Sequence, residues 1–280
     1  MTQEHYEQMI TGMATASNLQ IDPKKTALLV IDVLNDGCDE KGAFAKMGFD
    51  ISLLKRSNAK ILEIENAARK AGIPVIAVET VYDRNYLYPS TRQQFEGMGI
   101  TGDLSAKGSW GAQILPEIRA LADYILVKSH FSGFAPGKTF LYQLGNREAE
   151  EYLSRPASED EALKAAGKKI IDDYWKEASQ EQEDVTMHLQ QGGVVSLDNY
   201  LRANGIDTLI ITGASTHVCV DSTVAGASER GYHLIEPIDA VAAEGMRDEG
   251  FERHYTFLSN HGLFKSQLTT TSKLIEKLQK

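Results

Sequence analysis

The chain has 280 residues, 42% of them hydrophobic and 24% charged, which is the composition of a globular protein able to bury a sizeable core. Its 39 acidic residues against 29 basic ones give a formal charge of −10. That balance argues against a nucleic-acid or anionic-membrane partner, because both need a basic surface.

The first stretch, MTQEHYEQMITGMATASNLQ, has neither a basic leader nor an apolar core and does not read as a signal peptide. Residues 1–24 read as a polar N-terminal arm ending in Asp22-Pro23. No apolar run approaches the roughly 18 residues of a membrane span. Two cysteines, Cys38 and Cys219, make no disulfide framework and fit a reducing, cytoplasmic setting.

Beyond the arm, strands and helices alternate. TALLVIDV (26–33) is a continuous apolar run of the kind buried on both faces of a sheet. Residues 52–71 carry Leu53, Leu54, Ile61, Ile64 and Ala68 near helical spacing, with Gly72 as the stop. Pro74 opens a second strand, PVIAVET, and a helix is expected from about Ser109 or Trp110 through AQILPEIRALA. The third and fourth strands are DYILVKSH (123–130) and TLIITGA (208–214). A helix over about 217–230, a fifth strand HLIEPIDA, a helix over about 249–259 and a sixth strand in LFKSQL complete the series. This order predicts an α/β fold of three layers, α/β/α, around a six-stranded parallel sheet, in one domain spanning 1–280.

Residues 135–197 break the rhythm and read as a helical insertion. Ser158 and Glu161 suggest a capping box, followed by a stripe of Leu163, Ile170, Ile171, Tyr174, Trp175 and Ala178. Such a helix either lies on the parent domain or serves as a lid or an oligomer contact.

Three reactive groups fall at strand ends, where ligands bind in open parallel sheets. Asp32 closes the first strand, Lys128 lies near the end of the third, and Cys219 follows the fourth where a helix begins. A thiol at a helix N-terminus gains thiolate character from the peptide dipoles. The plainer reading of a lone cysteine is a small buried hydrophobe. An acid or a lysine in an apolar strand is costly unless paired, so the economical account has Asp32 and Lys128 meeting each other and the thiol.

The wording of TALLVIDVLND, KGSWGAQILPEI, DYILVKSHFSGF and YLRANGIDTLIITGASTHVCVDSTVAGASERGYHLIEPIDAVAA resembles the isochorismatase-like cysteine hydrolases, over about 25–134 and 198–270. The resemblance implies a catalytic Asp32, Lys128 and Cys219, a cis peptide at Ala214-Ser215, and an oxyanion hole from the backbone N–H groups of Ser215 and Cys219. It implies amide hydrolysis through a thioester, with Asp32 as proton carrier, on a small molecule of ureidoacrylate, biuret, N-carbamoyl or maleamate type. Tyr82, Trp110, Phe131 and Phe134 are candidates for the pocket wall, with Tyr86 beside them. Arg84 or Arg92 could clamp a carboxylate. No cofactor is expected. The nicotinamidase metal site of the superfamily needs two histidines between the first and third strands, and none lies between His5 and His130. Members are commonly homo-oligomers, so a dimer or tetramer is expected. The alternatives are hydrolysis of a non-amide bond, as in isochorismatase itself, and a non-catalytic ligand-binding member.

Overall fold

The computed structural model describes residues 8, 12–13, 19–83, 87–97, 104–158, 160–245 and 249–279. The arm 1–24 therefore falls largely outside the described residues, as do Arg84 and Tyr86.

The apolar runs become the middle of the sheet. β1 (Thr26–Ile31) and β2 (Val75–Thr80) are buried at every position. β3 (Tyr124–Lys128), β5 (Thr208–Ala214), β6 (His233–Pro237) and β8 (Gln267–Thr269) pair with them in parallel, in the order β3-β2-β1-β5-β6-β8. Those are the six parallel strands expected from the sequence. Among the described residues the sheet has eight strands, however. β4 (Thr139–Gln143) adds antiparallel to β3 at the edge, and the two-residue β7 (Val241–Ala242) pairs with β5. β4 lies inside the stretch read as a helical insertion. Its apolar side chains are too few to show a period.

Alternate strand residues feed two separate cores. Leu28, Val30, Ala77, Ile125 and Ile210 pack with α1 (Ser52–Lys70) on one face. Ala27, Leu29, Ile31, Leu126 and Ile211 pack on the other. α2 (Pro89–Gly97), α3 (Arg147–Ser154) and α4 (Glu161–Ala178) come next along the chain. The second core is completed by α5 (Val185–Gln190), α6 (Leu197–Ala203) and α7 (Asp221–Glu229). α8 (Glu249–Phe264) and α9 (Thr271–Leu278) add Leu258, Leu274 and Leu278 to the first core. Among the described residues no helix is long and apolar enough to cross a membrane.

Some local expectations change. The helix expected over AQILPEIRALA shrinks to one turn, Pro116–Arg119, because Pro116 lacks the N–H an upstream turn would need. α4 is capped by Asp160, whose carboxylate accepts from the N–H groups of Ala162 and Leu163, rather than by Ser158. Its stripe is half used: Ile171, Tyr174 and Ala178 are buried, whereas Leu163 and Ile170 are exposed.

Gly213 sets the course of the chain as it leaves β5. It has φ 108°, and a Cβ there would meet the Ile31 carbonyl oxygen at 2.0 Å. Only glycine lets the end of β5 run this close to β1. The next peptide bond, Ala214–Ser215, is cis.

Candidate active site

β1 is flanked by β2 on one side and β5 on the other, so strand order reverses there and opens a crevice at the carboxyl edge. Four polar side chains from four neighbouring segments meet in it: Lys128 from β3, Thr80 from β2, Asp32 just past β1, and Cys219 past β5. Lys128 and Thr80 are cross-strand partners in register and point to the same face. Two strand spacings, about 9.6 Å, separate β3 from β1, and a lysine is long enough to cross most of that gap. Its Nζ lies 2.8 Å from Asp32 Oδ2, 3.2 Å from Cys219 Sγ and 3.1 Å from the His130 carbonyl oxygen. It also donates to Thr80 Oγ1, while the Thr80 hydroxyl donates to Asp32 Oδ1 at 2.9 Å. Asp32 holds φ 50°, a left-handed conformation unusual for a non-glycine residue, which turns its carboxylate into the crevice instead of along the strand face.

The electrostatics differ from the sequence expectation in one respect. Burial on its own would lower the Lys128 pKa, but the Asp32 carboxylate and then Cys219 outweigh it, so the ammonium is held charged. The thiol moves the opposite way from a helix-terminus cysteine. Burial pushes Cys219 up to about 12, the Asp32 carboxylate adds to this, and Lys128 only partly opposes it. Cys219 lies inside a π-helical turn, Thr216–Val220, ahead of α7. Loss of hydration there exceeds what the peptide dipoles return. The resting site therefore holds a thiol beside a carboxylate and an ammonium.

The turn carrying the thiol is fixed from both sides. The Ser215 carbonyl accepts from the N–H groups of Val218 and Val220 at 3.0 and 3.1 Å. The Ser215 hydroxyl donates to the buried Glu244 carboxylate, whose other oxygen lies 3.5 Å from His217 Nε2. Burial lowers the His217 pKa, with Glu244 opposing. Thr216 Oγ1 and His254 Nδ1 share a hydrogen bond of 2.8 Å.

The expected wall residues separate. Tyr82 is buried, which holds its phenol protonated, and its ring meets Phe95 of α2 edge-on at 5.1 Å. Phe131 stacks edge-on against His130, the residue whose carbonyl Lys128 binds. Trp110 is exposed, and its carbonyl accepts from the Asn35 amide. Phe134 packs against Gly226, Tyr232 and Arg230, about two helical turns beyond the thiol, and belongs to the core. Arg92 lies on α2, the helix whose Phe95 ring meets Tyr82. Among the described residues no three His, Cys, Asp or Glu side chains converge as a metal site.

Thr80 and Glu244 escaped the sequence reading. A polar pair, Glu79-Thr80, at the end of an otherwise apolar strand was the available signal for the first. Nothing local marks Glu244, which reaches Ser215 only through the pairing of β7 with β5.

Comparison with known proteins agrees with this architecture. The ureidoacrylate amidohydrolase RutB of Rhizobium rhizogenes is 25% identical over 250 residues, covering 84% of this chain and 77% of that protein. A cysteine hydrolase from Pseudomonas syringae pv. phaseolicola superposes with a TM-score of 0.64 at 19% identity, covering 94% of this chain and 96% of the other. N-carbamoylsarcosine amidase from Thermoplasma acidophilum gives a TM-score of 0.51 at 22% identity, covering 88% and 96%. The family model described as Isochorismatase domain matches residues 26–160 and 177–255, so the break falls within α4 and the chain belongs to the isochorismatase family.

Proposed function

We propose that the protein hydrolyses a carbon–nitrogen bond other than a peptide bond, in a small amide, ureido or carbamoyl compound, through a thioester on Cys219. One observation carries this reading: a single buried ammonium, Lys128 Nζ, lies 2.8 Å from Asp32 Oδ2 and 3.2 Å from Cys219 Sγ. Relatives named for ureidoacrylate and N-carbamoylsarcosine support the substrate class.

The steps follow from the protonation states. The thiol is protonated at rest, so attack on the substrate carbonyl is coupled to transfer of its proton to Asp32. Lys128 stays charged throughout, offsetting the negative charge that moves between carboxylate and sulfur. The C–S bond forms and the carbonyl oxygen becomes an oxyanion. The N–H groups of Ser215 and Cys219, in the turn braced by Glu244, are its donors. Collapse breaks the C–N bond, and Asp32 returns the proton to the leaving nitrogen as ammonia or an amine departs. A water then gives its proton to Asp32 and its oxygen to the acyl carbon, and Cys219 takes the proton back as the acid leaves.

Hydrolysis of a panel containing ureidoacrylate, N-carbamoylsarcosine, biuret and maleamate by the wild type and by Cys219→Ala tests the proposal. Wild-type turnover lost in the variant, with an acyl adduct on Cys219 seen by mass spectrometry, is the expected result. Equal rates in both proteins would remove it, and turnover without an adduct would assign the thiol another role.

A further inference from the structure

Glu79 is the residue before Thr80 and so points to the opposite face of the sheet, away from the crevice. It is buried inside a strand covered on both faces. An acid there is costly without a partner, yet among the described residues neither a hydrogen bond nor an ion pair reaches it. The nearest base, the Arg119 guanidinium, is taken by Glu150 at 2.9 Å and lies beside the Tyr142 phenol.

The Glu79 carboxyl opens instead into a cavity of about 300 Å³, bounded by β2, the segment around Gln113, the Pro116–Arg119 turn and the end of α3. This volume is at the lower end of small-molecule sites. Glu79, Arg119, Tyr142 and Glu150 line it, and the exposed Gln113 and Ser154 stand at its rim. Arg119 is paired with Glu150, which leaves the Glu79 carboxyl without an ion-pair partner of its own. Burial raises its pKa to about 7, Arg119 pulling down and Asp32 and Glu150 pushing up, so below neutrality the carboxyl keeps a proton that a bound cation would displace.

We propose that this cavity is a binding site for a small organic cation, an alkylammonium that forms an ion pair with Glu79 on the face of the sheet opposite the Cys219 crevice. Binding exchanges one cation for another: the protonated carboxyl releases H⁺ and the carboxylate receives RNH₃⁺, so charge balances without a co-reactant. The Gln113 side-chain oxygen, on the exposed side of the cavity, supplies a further acceptor for the ammonium hydrogens. The site stands whether or not Cys219 is a nucleophile.

The test uses n-butylammonium as probe, titrated calorimetrically into the full-length protein at pH 6 in two buffers of different ionisation enthalpy. Saturable binding with release of close to one proton is expected, persisting in Cys219→Ser. Glu79→Gln, an isostere of the protonated acid, should weaken it by about tenfold to a hundredfold. Ser154→Trp, at the exposed rim, should block entry without touching the carboxyl, and it decides the matter should the Glu79 variant fail to fold. Binding without proton release, binding untouched by both substitutions, no saturable heat in the wild type, or a preference for acetate over butylammonium would each overturn the assignment.

Discussion

Thr80 and Asp32 share a hydrogen bond of 2.9 Å, and the same threonine hydroxyl accepts from the Lys128 ammonium. The carboxylate is thus held by one oxygen from Thr80 and by the other from Lys128, which leaves it one orientation toward the thiol. A hydroxyl that donates to the base while accepting from the ammonium fixes both.

Thr80→Val keeps the volume and the strand propensity but removes both hydrogen bonds. The expected result is a fall in kcat of about tenfold to a hundredfold, as for a reacting group displaced by about an ångström, with KM little changed. Thr80→Ser should recover most of the loss. A Thr80→Val enzyme with wild-type kcat would show that Lys128 alone orients the carboxylate.

The thiol offers a sharper test because its two neighbours act in opposite directions. Asp32 raises the Cys219 pKa and Lys128 lowers it. Wild-type Cys219 should therefore react slowly with iodoacetamide at pH 7, as should the buried Cys38, also pushed up to about 12. Asp32→Asn removes the raising charge and retains the ammonium. Alkylation of Cys219 at pH 7 should accelerate in that variant while amide hydrolysis falls by about a hundredfold or more. Slower alkylation in Asp32→Asn would mean that the carboxylate activates the thiol in the resting enzyme.

Lys128 is fully buried, and its side chain has no exposed surface. Lys128→Met keeps most of the volume but leaves the Asp32 carboxylate without its cation. Breaking one side of a buried ion pair costs about 3–5 kcal/mol, so the variant should have a markedly lower urea midpoint as well as lost activity. Lys128→Arg should not rescue activity, because the planar guanidinium cannot occupy the point between Asp32 Oδ2, Thr80 Oγ1, Cys219 Sγ and the His130 carbonyl. An active Lys128→Arg enzyme would imply that positive charge alone is required.

The central parallel strands were legible because each is an apolar run bounded by turn residues, and three of the four clustered side chains were legible because they interrupt, end or follow such runs. The hidden features depend on pairing at a distance. β4 is five residues long with no readable period and becomes a strand only by lying against β3. Thr80 gains its place from register with Lys128. The direction in which the thiol pKa moves is not legible, because sequence shows that a cysteine starts a helical turn but not how thoroughly that turn is shielded from water. Glu79 and Glu65 look in the sequence like any exposed acid, and only the packed structure shows that both are buried, Glu65 without any exposed surface.

Glu65 gives a test that is independent of catalysis. It lies on α1 with no exposed surface, and among the described residues neither carboxyl oxygen has a hydrogen-bond partner. Burial raises its pKa from 4.5 to about 8, with Arg69 the opposing influence. The folded state therefore holds a proton that the unfolded chain releases above about pH 4.5. Stability accordingly falls as pH rises from about 4.5 to about 8, because folding must then either neutralise the acid or bury its charge. A tenfold difference in proton affinity is worth about 1.4 kcal/mol, so the loss is on the order of a few kcal/mol across that window. Glu65→Gln mimics the protonated acid and cannot ionise. Urea unfolding of the variant and the wild type at pH 5 and pH 8 should show similar midpoints at the lower pH and a clearly higher one for the variant at the upper pH. An unchanged difference between the two pH values would mean that Glu65 is ionised in the folded protein, with a hydrogen-bonding partner drawn to it.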